Sequence, residues 1–158
     1  MSFKITPPPK AVTQSSNESC WAAALESWLV AVNGPRWTQS QLMAMGRFGI
    51  DTQVFIDMAR AWGMKTNVVD DLPPVTAMET TLRDLGCLYV AHRLSEVAWW
   101  HCVVLYGVTI KKYDEPTYHF MDPALGGLTT NSKSFFLQGS SPRILVGWHK
   151  GRGGRHGR

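Results

Sequence analysis

The chain is poor in cysteine. Its three, Cys20, Cys87 and Cys102, cannot all pair with one another, and none stands in a Cys-x-x-Cys pair or at Cys/His ligand spacing. A disulfide-stapled scaffold and a structural zinc site are therefore excluded, and no metal or cofactor is expected. Cys87 and Cys102 lie in apolar, strand-like runs, where a free cysteine acts as a small buried hydrophobe, and a reducing place of action fits best. No apolar run approaches the ~20 residues of a membrane span, so no membrane partner is expected. The first residues, Met-Ser-Phe-Lys-Ile-Thr-Pro-Pro-Pro-Lys, lack the apolar core and small-residue cleavage site of a signal peptide. Export then calls for a dedicated secretion system. Internal repeats are absent as well.

What remains is an ordinary globular composition, 44% hydrophobic and 18% charged over 158 residues. That is enough for one domain with a proper core. The formal net charge of +4 invites a nucleic-acid reading, but its distribution argues against one. Arg143, Lys150, Arg152, Arg155 and Arg158 contribute +5 with no acid among them, leaving −1 for the rest (+4 − 5). A Gly/Arg/His end of this kind reads as a solubilising, flexible tail over 149–158, or as a contact for an acidic partner.

Residues 1–13 read as an extended arm, since three prolines at 7–9 oppose a helix. The domain proper is expected over 14–148. Trp21, Ala24, Leu25, Trp28, Leu29 and Val32 follow helical spacing from Ser19 onward, and Asn33-Gly34-Pro35 stops the helix. Thr38-Gln-Ser-Gln41 resembles a capping box for a short helix to Met45. Asp51 caps a further predicted helix with Val54, Phe55, Met58, Ala59 and Trp62 on one face. Beyond these the pattern turns to strands: Lys65–Val69, Cys87–Ala91, His101–Ile110, Thr117–Met121 and Arg143–Trp148, with a helix over Thr76–Leu85. Helices first and an antiparallel sheet later predict an α+β fold.

The chemistry centres on Gln14-Ser-Ser-Asn-Glu-Ser-Cys20-Trp21-Ala-Ala-Ala24, a polar loop running into an apolar helix with a thiol at the junction. A thiol attacks as thiolate, and a helix N-terminus and a nearby imidazolium both favour that anion. Ala22, Ala23 and Ala24 let the helix pack closely on a sheet. Of the five histidines, His101 is the expected base, because it opens a strand whose next residues belong in a core. His92, His119, His149 and His156 are the competitors. A hairpin of 101–110 with 117–122 returns Asp122 near His101, where a carboxylate can fix the imidazole's tautomer. Pro123 ends that strand. The Cys20 backbone N–H and the Gln14 amide are the expected oxyanion donors. Trp21, Trp99 and Trp100 are candidates for the walls of a substrate cleft, with core packing as the plain alternative.

Taken together, Gln14-x5-Cys20-Trp21-Ala22, His101 and Asp122-Pro123 resemble the papain-like cysteine peptidase superfamily. The resemblance implies that Gln14 helps bind the oxyanion, Cys20 attacks, His101 is the base and Asp122 orients it. The 81 residues from Cys20 to His101 (101 − 20) fall short of the roughly 130–150 of papain and the cathepsins. They are similar to the spacing in bacteriocin-processing peptidase domains, which cut after a double glycine. His101-Cys-Val-Val-Leu-Tyr-Gly and Asp122-Pro-Ala-Leu-Gly126-Gly127 are the segments that carry this likeness. Ser19-Cys20-Trp21 departs from the Asp-Cys-Gly of those domains and is similar to papain and to secreted effector proteases of plant-pathogenic bacteria.

The resemblance spans roughly residues 14–127. It implies a cysteine endopeptidase, with cleavage after glycine among the expectations. It also suggests an antagonistic bacterial toxin, acting on a protein in a target cell's cytoplasm and blocked by a cognate immunity protein. The same thiol, imidazole and carboxylate can serve a glutamine deamidase or a transglutaminase. A catalytically inactive binding module is the third alternative.

Overall fold

The computed structural model describes residues 1–45, 57, 60, 62–94, 100–139 and 143–147. It is α+β, with one antiparallel sheet between two unequal helical layers. The elements in chain order are β1 (Ser2–Lys4), α1 (Cys20–Ala31), α2 (Gln39–Met45), β2 (Lys65–Val69), α3 (Val75–Leu85) and β3 (Leu88–Arg93). Then come β4 (Trp100–Thr109), β5 (Thr117–Asp122), β6 (Gly127–Ser132), α4 (Lys133–Phe136) and β7 (Arg143–Gly147). The sheet order is β2-β7-β3-β4-β5-β6, and β1 pairs with β4.

Strand alternation divides the core in two. Tyr89, Ala91, Cys102, Val104, Met121, Ile144 and Val146 face α1. Leu88, Val90, Val103, Leu105, Tyr118 and Phe120 face Met78 and Leu82 of α3 and Phe136 of α4. Nine of the twelve α1 residues are buried, because α1 is covered by the sheet on one side and by α2 on another. A helix covered from several sides must be apolar nearly all round, and Cys-Trp-Ala-Ala-Ala-Leu supplies that. The indole of Trp28 donates to the Cys87 carbonyl at 2.7 Å, so its one polar atom is satisfied inside the core. At α2 the expected capping box is present in full. Gln41 N donates to Thr38 Oγ1 at 3.3 Å, and Thr38 N donates to Gln41 Oε1 at 2.9 Å.

Three features differ from expectation. The first residues are extended but not a loose arm: Ser2–Lys4 pair with Gly107–Thr109, continuing the edge of β4 where β3 leaves off. Gly107 permits this, since a Cβ there would lie 2.8 Å from the Phe3 carbonyl oxygen. The arm then follows α1, with Ser27 Oγ donating to Lys10 O at 2.6 Å. Arg143 is not part of a solvated basic end. It is buried in β7 and donates to the carbonyls of Phe136, Asp70 and Gly139 at 2.7–2.9 Å. Finally, Gly127–Ser132 forms strand β6 and Lys133–Phe136 a short helix, two elements that the sequence pattern does not announce. The helix expected from Asp51, with Val54, Phe55, Met58 and Ala59, lies outside the described residues apart from Asp57, Arg60 and Trp62, as do Trp99 and the tail.

Candidate active site

Helix α1 begins at Cys20, so the thiol stands in its first turn. The N-cap residue Ser19 gives its side chain to the preceding loop, accepting from Ser16 N at 2.9 Å and donating to Ser16 O at 3.0 Å. No side chain caps the helix, and its first turn holds no acid. The positive end of the dipole is therefore left for the thiol. The small side chains of Ala22, Ala23 and Ala24 are wholly buried and let the helix lie close to β4.

Strand β5 stops at Asp122, one residue past the Val104↔Met121 pair. The start of β4 at Trp100–Cys102 is therefore unpaired on its β5 side, and the end of α1 fills that gap. Cys20 Sγ donates to the Trp100 carbonyl at 3.5 Å, which places it at the start of β4, near enough to His101 and Cys102 for both to act on its charge. Asp122 and His101 share a face, and His101 Nε2 is 2.9 Å from Asp122 Oδ1, with both residues 5% exposed. Nδ1 is the ring nitrogen left for the thiol. The same Asp122 oxygen accepts from Ala124 N at 2.9 Å, and the Asp122 carbonyl accepts from Gly126 N at 2.9 Å. The turn after Asp122 thus holds the carboxylate in place.

These contacts shift all three groups toward an ion pair. The Cys20 thiol is brought down to about 5, first by its hydrogen bond to Cys102 and then, against the cost of burial, by His101. Burial works against a charged His101, but the hydrogen bonds to Asp122 and Cys20 outweigh it and raise the imidazole to about 9. Asp122 pays the same burial penalty, and its hydrogen bond to His101 still leaves its carboxyl below the ordinary value. At neutral pH the site therefore holds a thiolate, an imidazolium and a carboxylate.

Gln14 comes close by another route. Its backbone N–H donates to Pro123 O at 3.0 Å, which ties the loop before α1 to the turn after Asp122. Its Oε1 is buried without a hydrogen-bond partner, and no hydrogen bond joins its side chain to Cys20, His101 or Asp122. Gly126, at φ 68°, packs so tightly on Thr13 that any side chain there would collide with it.

The tryptophans divide. Trp21, a candidate for a cleft wall or for core packing, is a core residue at 4% exposure, because position 21 turns into the α1–sheet interface. Trp100 is half-buried, its ring beneath the Arg93 guanidinium at 5.0 Å. Trp99 lies outside the described residues. Two residues near the site have no clear signal in the sequence. His92 sits opposite His101 in the β3–β4 register, with ring centroids 5.6 Å apart. It is fully buried, both ring nitrogens lack partners, and Phe135 and Phe136 enclose it at 4.9 and 5.2 Å. Burial first, and then the His101 charge, push it down to about 3. Cys102, expected to be an inert core thiol, is the other. Of the remaining histidines, His119 is on the opposite face, bonded to Thr109 Oγ1 at 2.8 Å.

Among the described residues no group of three His, Cys, Asp or Glu side chains could hold a metal ion. None of the described helices is long and apolar enough to cross a membrane.

Comparison with known proteins agrees with this geometry. The fold is similar to the peptidase domain of Streptococcus ComA, a bifunctional ABC transporter of a quorum-sensing pathway. That match has 20% identity, covers 87% of this chain and 97% of that one, and has a TM-score of 0.60. No curated protein matches. The family model described as papain-like cysteine protease AvrRpt2 matches residues 2–139. The chain therefore belongs to this family of papain-like cysteine proteases.

Proposed function

We propose that the protein is an endopeptidase that cleaves a protein substrate by acyl transfer through Cys20, with His101 as the acid–base and Asp122 as its orienting partner. The observation that carries this reading is the His101–Asp122 bond of 2.9 Å in a buried setting, with the Cys20 thiol against the same imidazole. The thiolate attacks the scissile carbonyl, and His101 hands its proton to the leaving amine. Water, deprotonated by the same imidazole, then releases the acyl group. The Cys20 backbone N–H and the Gln14 amide stabilise the oxyanion.

The half-buried Trp100 ring walls one side of the cleft and favours a small residue such as glycine before the cut. This specificity fits a bacterial effector that is exported by a dedicated system and acts in a target cell. Its producer then needs an immunity protein that covers the cleft. The ComA domain shares this fold while belonging to an exporter, so the fold alone does not carry the effector role.

The test is a mass-spectrometric digest of bacterial lysate treated with the wild type or with Cys20→Ala. New termini seen only with the wild type establish the peptidase, and the residues flanking them read out the glycine preference. Trp100→Ala relaxes that preference; an unchanged cleavage profile refutes the wall. Intact proteins gaining roughly 1 Da at glutamine would replace peptide hydrolysis with deamidation.

A further inference from the structure

Gln39, the first residue of α2, reaches across to the loop that enters α1 and holds it at two points. Ser15 N donates to Gln39 Oε1 at 2.8 Å, and Gln39 Nε2 donates to Thr13 O at 3.0 Å. A backbone N–H only donates and a carbonyl only accepts, so these partners fix which way the amide points. Between them lies Gln14, whose own N–H donates to Pro123 O at 3.0 Å. Such bonds leave alternate edges of the backbone, as they do in a strand. Gln14 is thus clasped from both edges, by the turn after Asp122 and by α2.

Gln39 is itself anchored. Its backbone N–H donates to Glu26 Oε2 at 2.6 Å. Glu26 lies on α1, six residues (26 − 20) beyond Cys20, and its other oxygen pairs with Lys10 at 3.6 Å. The chain of bonds therefore starts on the helix that carries Cys20 and ends on both sides of Gln14. The Gln14 carboxamide has no such hold at its oxygen, since Oε1 is buried without a partner. Its aim depends on the backbone behind it.

Resting on the reading of Gln14 as an oxyanion donor, we infer that Gln39 is a positioning residue that, tied to α1 through Glu26, fixes the backbone on both sides of Gln14 and so aims the Gln14 amide at the oxyanion formed at Cys20. The two oxyanion donors, the Cys20 N–H and the Gln14 amide, then share one rigid reference, helix α1. That matters because such donors work only within about 0.5 Å of the productive geometry. Gln39 acts through Gln14 rather than on the substrate, and no proton leaves it during turnover.

The experiment compares two reactions of Cys20 in the full chain at neutral pH, using wild type, Gln14→Ala, Gln39→Met and the double variant. Acylation by p-nitrophenyl acetate joins the sulfur to the acetyl carbon and expels p-nitrophenolate by way of a tetrahedral oxyanion; the phenolate absorbance follows it. Alkylation by iodoacetamide joins the sulfur to the methylene carbon and expels iodide without an oxyanion; intact mass and peptide mapping follow it. Methionine keeps the reach of glutamine without its hydrogen bonds, and thermal unfolding confirms that each variant is folded. Gln14→Ala should slow acylation by about tenfold or more. Gln39→Met should slow it by about threefold or more, leave alkylation at the wild-type rate, and add nothing in the Gln14→Ala background. Unchanged acylation in Gln39→Met, equal slowing of both reactions, or the same further loss on top of Gln14→Ala overturns the assignment and leaves Gln39 as a tie between helix and loop. Failure of the underlying reading looks different: Gln14→Ala itself would acylate at the wild-type rate.

Discussion

Replacing His92 by Phe tests whether a neutral, partnerless imidazole lies behind the site. His92 is fully buried among Phe135, Phe136 and the His101 ring, and its pKa falls from 6.5 to about 3. Between those values the unfolded chain binds a proton that the folded chain refuses, so stability rises with pH across that window and is lost as pH falls. At 1.36 kcal/mol per pH unit the whole window is worth at most roughly 5 kcal/mol. From about pH 7.5 to about pH 5 the loss is about 2 kcal/mol, because only the unfolded state titrates there.

The His92→Phe variant would carry no such penalty. Urea unfolding of both proteins at the two pH values should show the wild type losing about 2 kcal/mol more than the variant. The double difference cancels the contribution of His101, which runs against that of His92, and those of Cys20 and Asp122, which run with it, since both proteins share them. At the higher pH the variant should also be more stable, by about 1–3 kcal/mol, because two orphaned ring nitrogens are gone. Identical pH dependence in the two proteins would refute the reasoning, since it would mean that His92 has a partner for its proton.

Further outcomes follow from the same contacts. The pH profile of kcat/KM should rise through about 5, as Cys20 ionises, and fall through about 9, as His101 loses its proton; a maximum confined to alkaline pH would deny the ion pair. Asp122→Asn should cost roughly 10²–10⁴-fold in kcat and move the alkaline limb downward, because the hydrogen bond that raises His101 becomes neutral. An unmoved limb would show that Asp122 does not set the imidazole's charge. Arg143→Leu strips the donor from three carbonyls and should lower stability by about 3 kcal/mol or more in denaturant unfolding. A loss below about 1 kcal/mol would mean water replaces the guanidinium.

Most of the element order could be read in the sequence because each signal was local. Helical spacing of Trp21, Leu25, Trp28 and Leu29 needs no distant partner to be recognised, and neither does the Thr38–Gln41 box. The meeting of Cys20, His101 and Asp122 was legible for a different reason. A hairpin that runs out along β4 and back along β5 must return its end near its start. What escaped the sequence was non-local. Strand β6, Gly-Leu-Thr-Thr-Asn-Ser, is mostly polar because it lies at the sheet margin beside β5 alone. Arg143 has the composition of a tail, and only the three carbonyls converging on it make it a core residue. Trp21 could line a cleft or a core from its position after the nucleophile, and the helix phase decides for the core. Cys102 and His92 gain their meaning from cross-strand neighbours more than eight residues away.

Strand β7 is the last of the described elements to be made, yet it lies inside the sheet, between β2 and β3. Ile144 and Val146 of β7 are part of the apolar floor on which α1 rests. A ribosome building this protein completes the nucleophile, the base and the carboxylate while that floor is still open. Until residue 147 is free to slot in, α1 rests on a floor that lacks Ile144 and Val146. Chains cut short before β7 would therefore emerge without peptidase activity. The interior seat of this late strand makes the floor beneath the nucleophile's helix the last part of the described sheet to be completed.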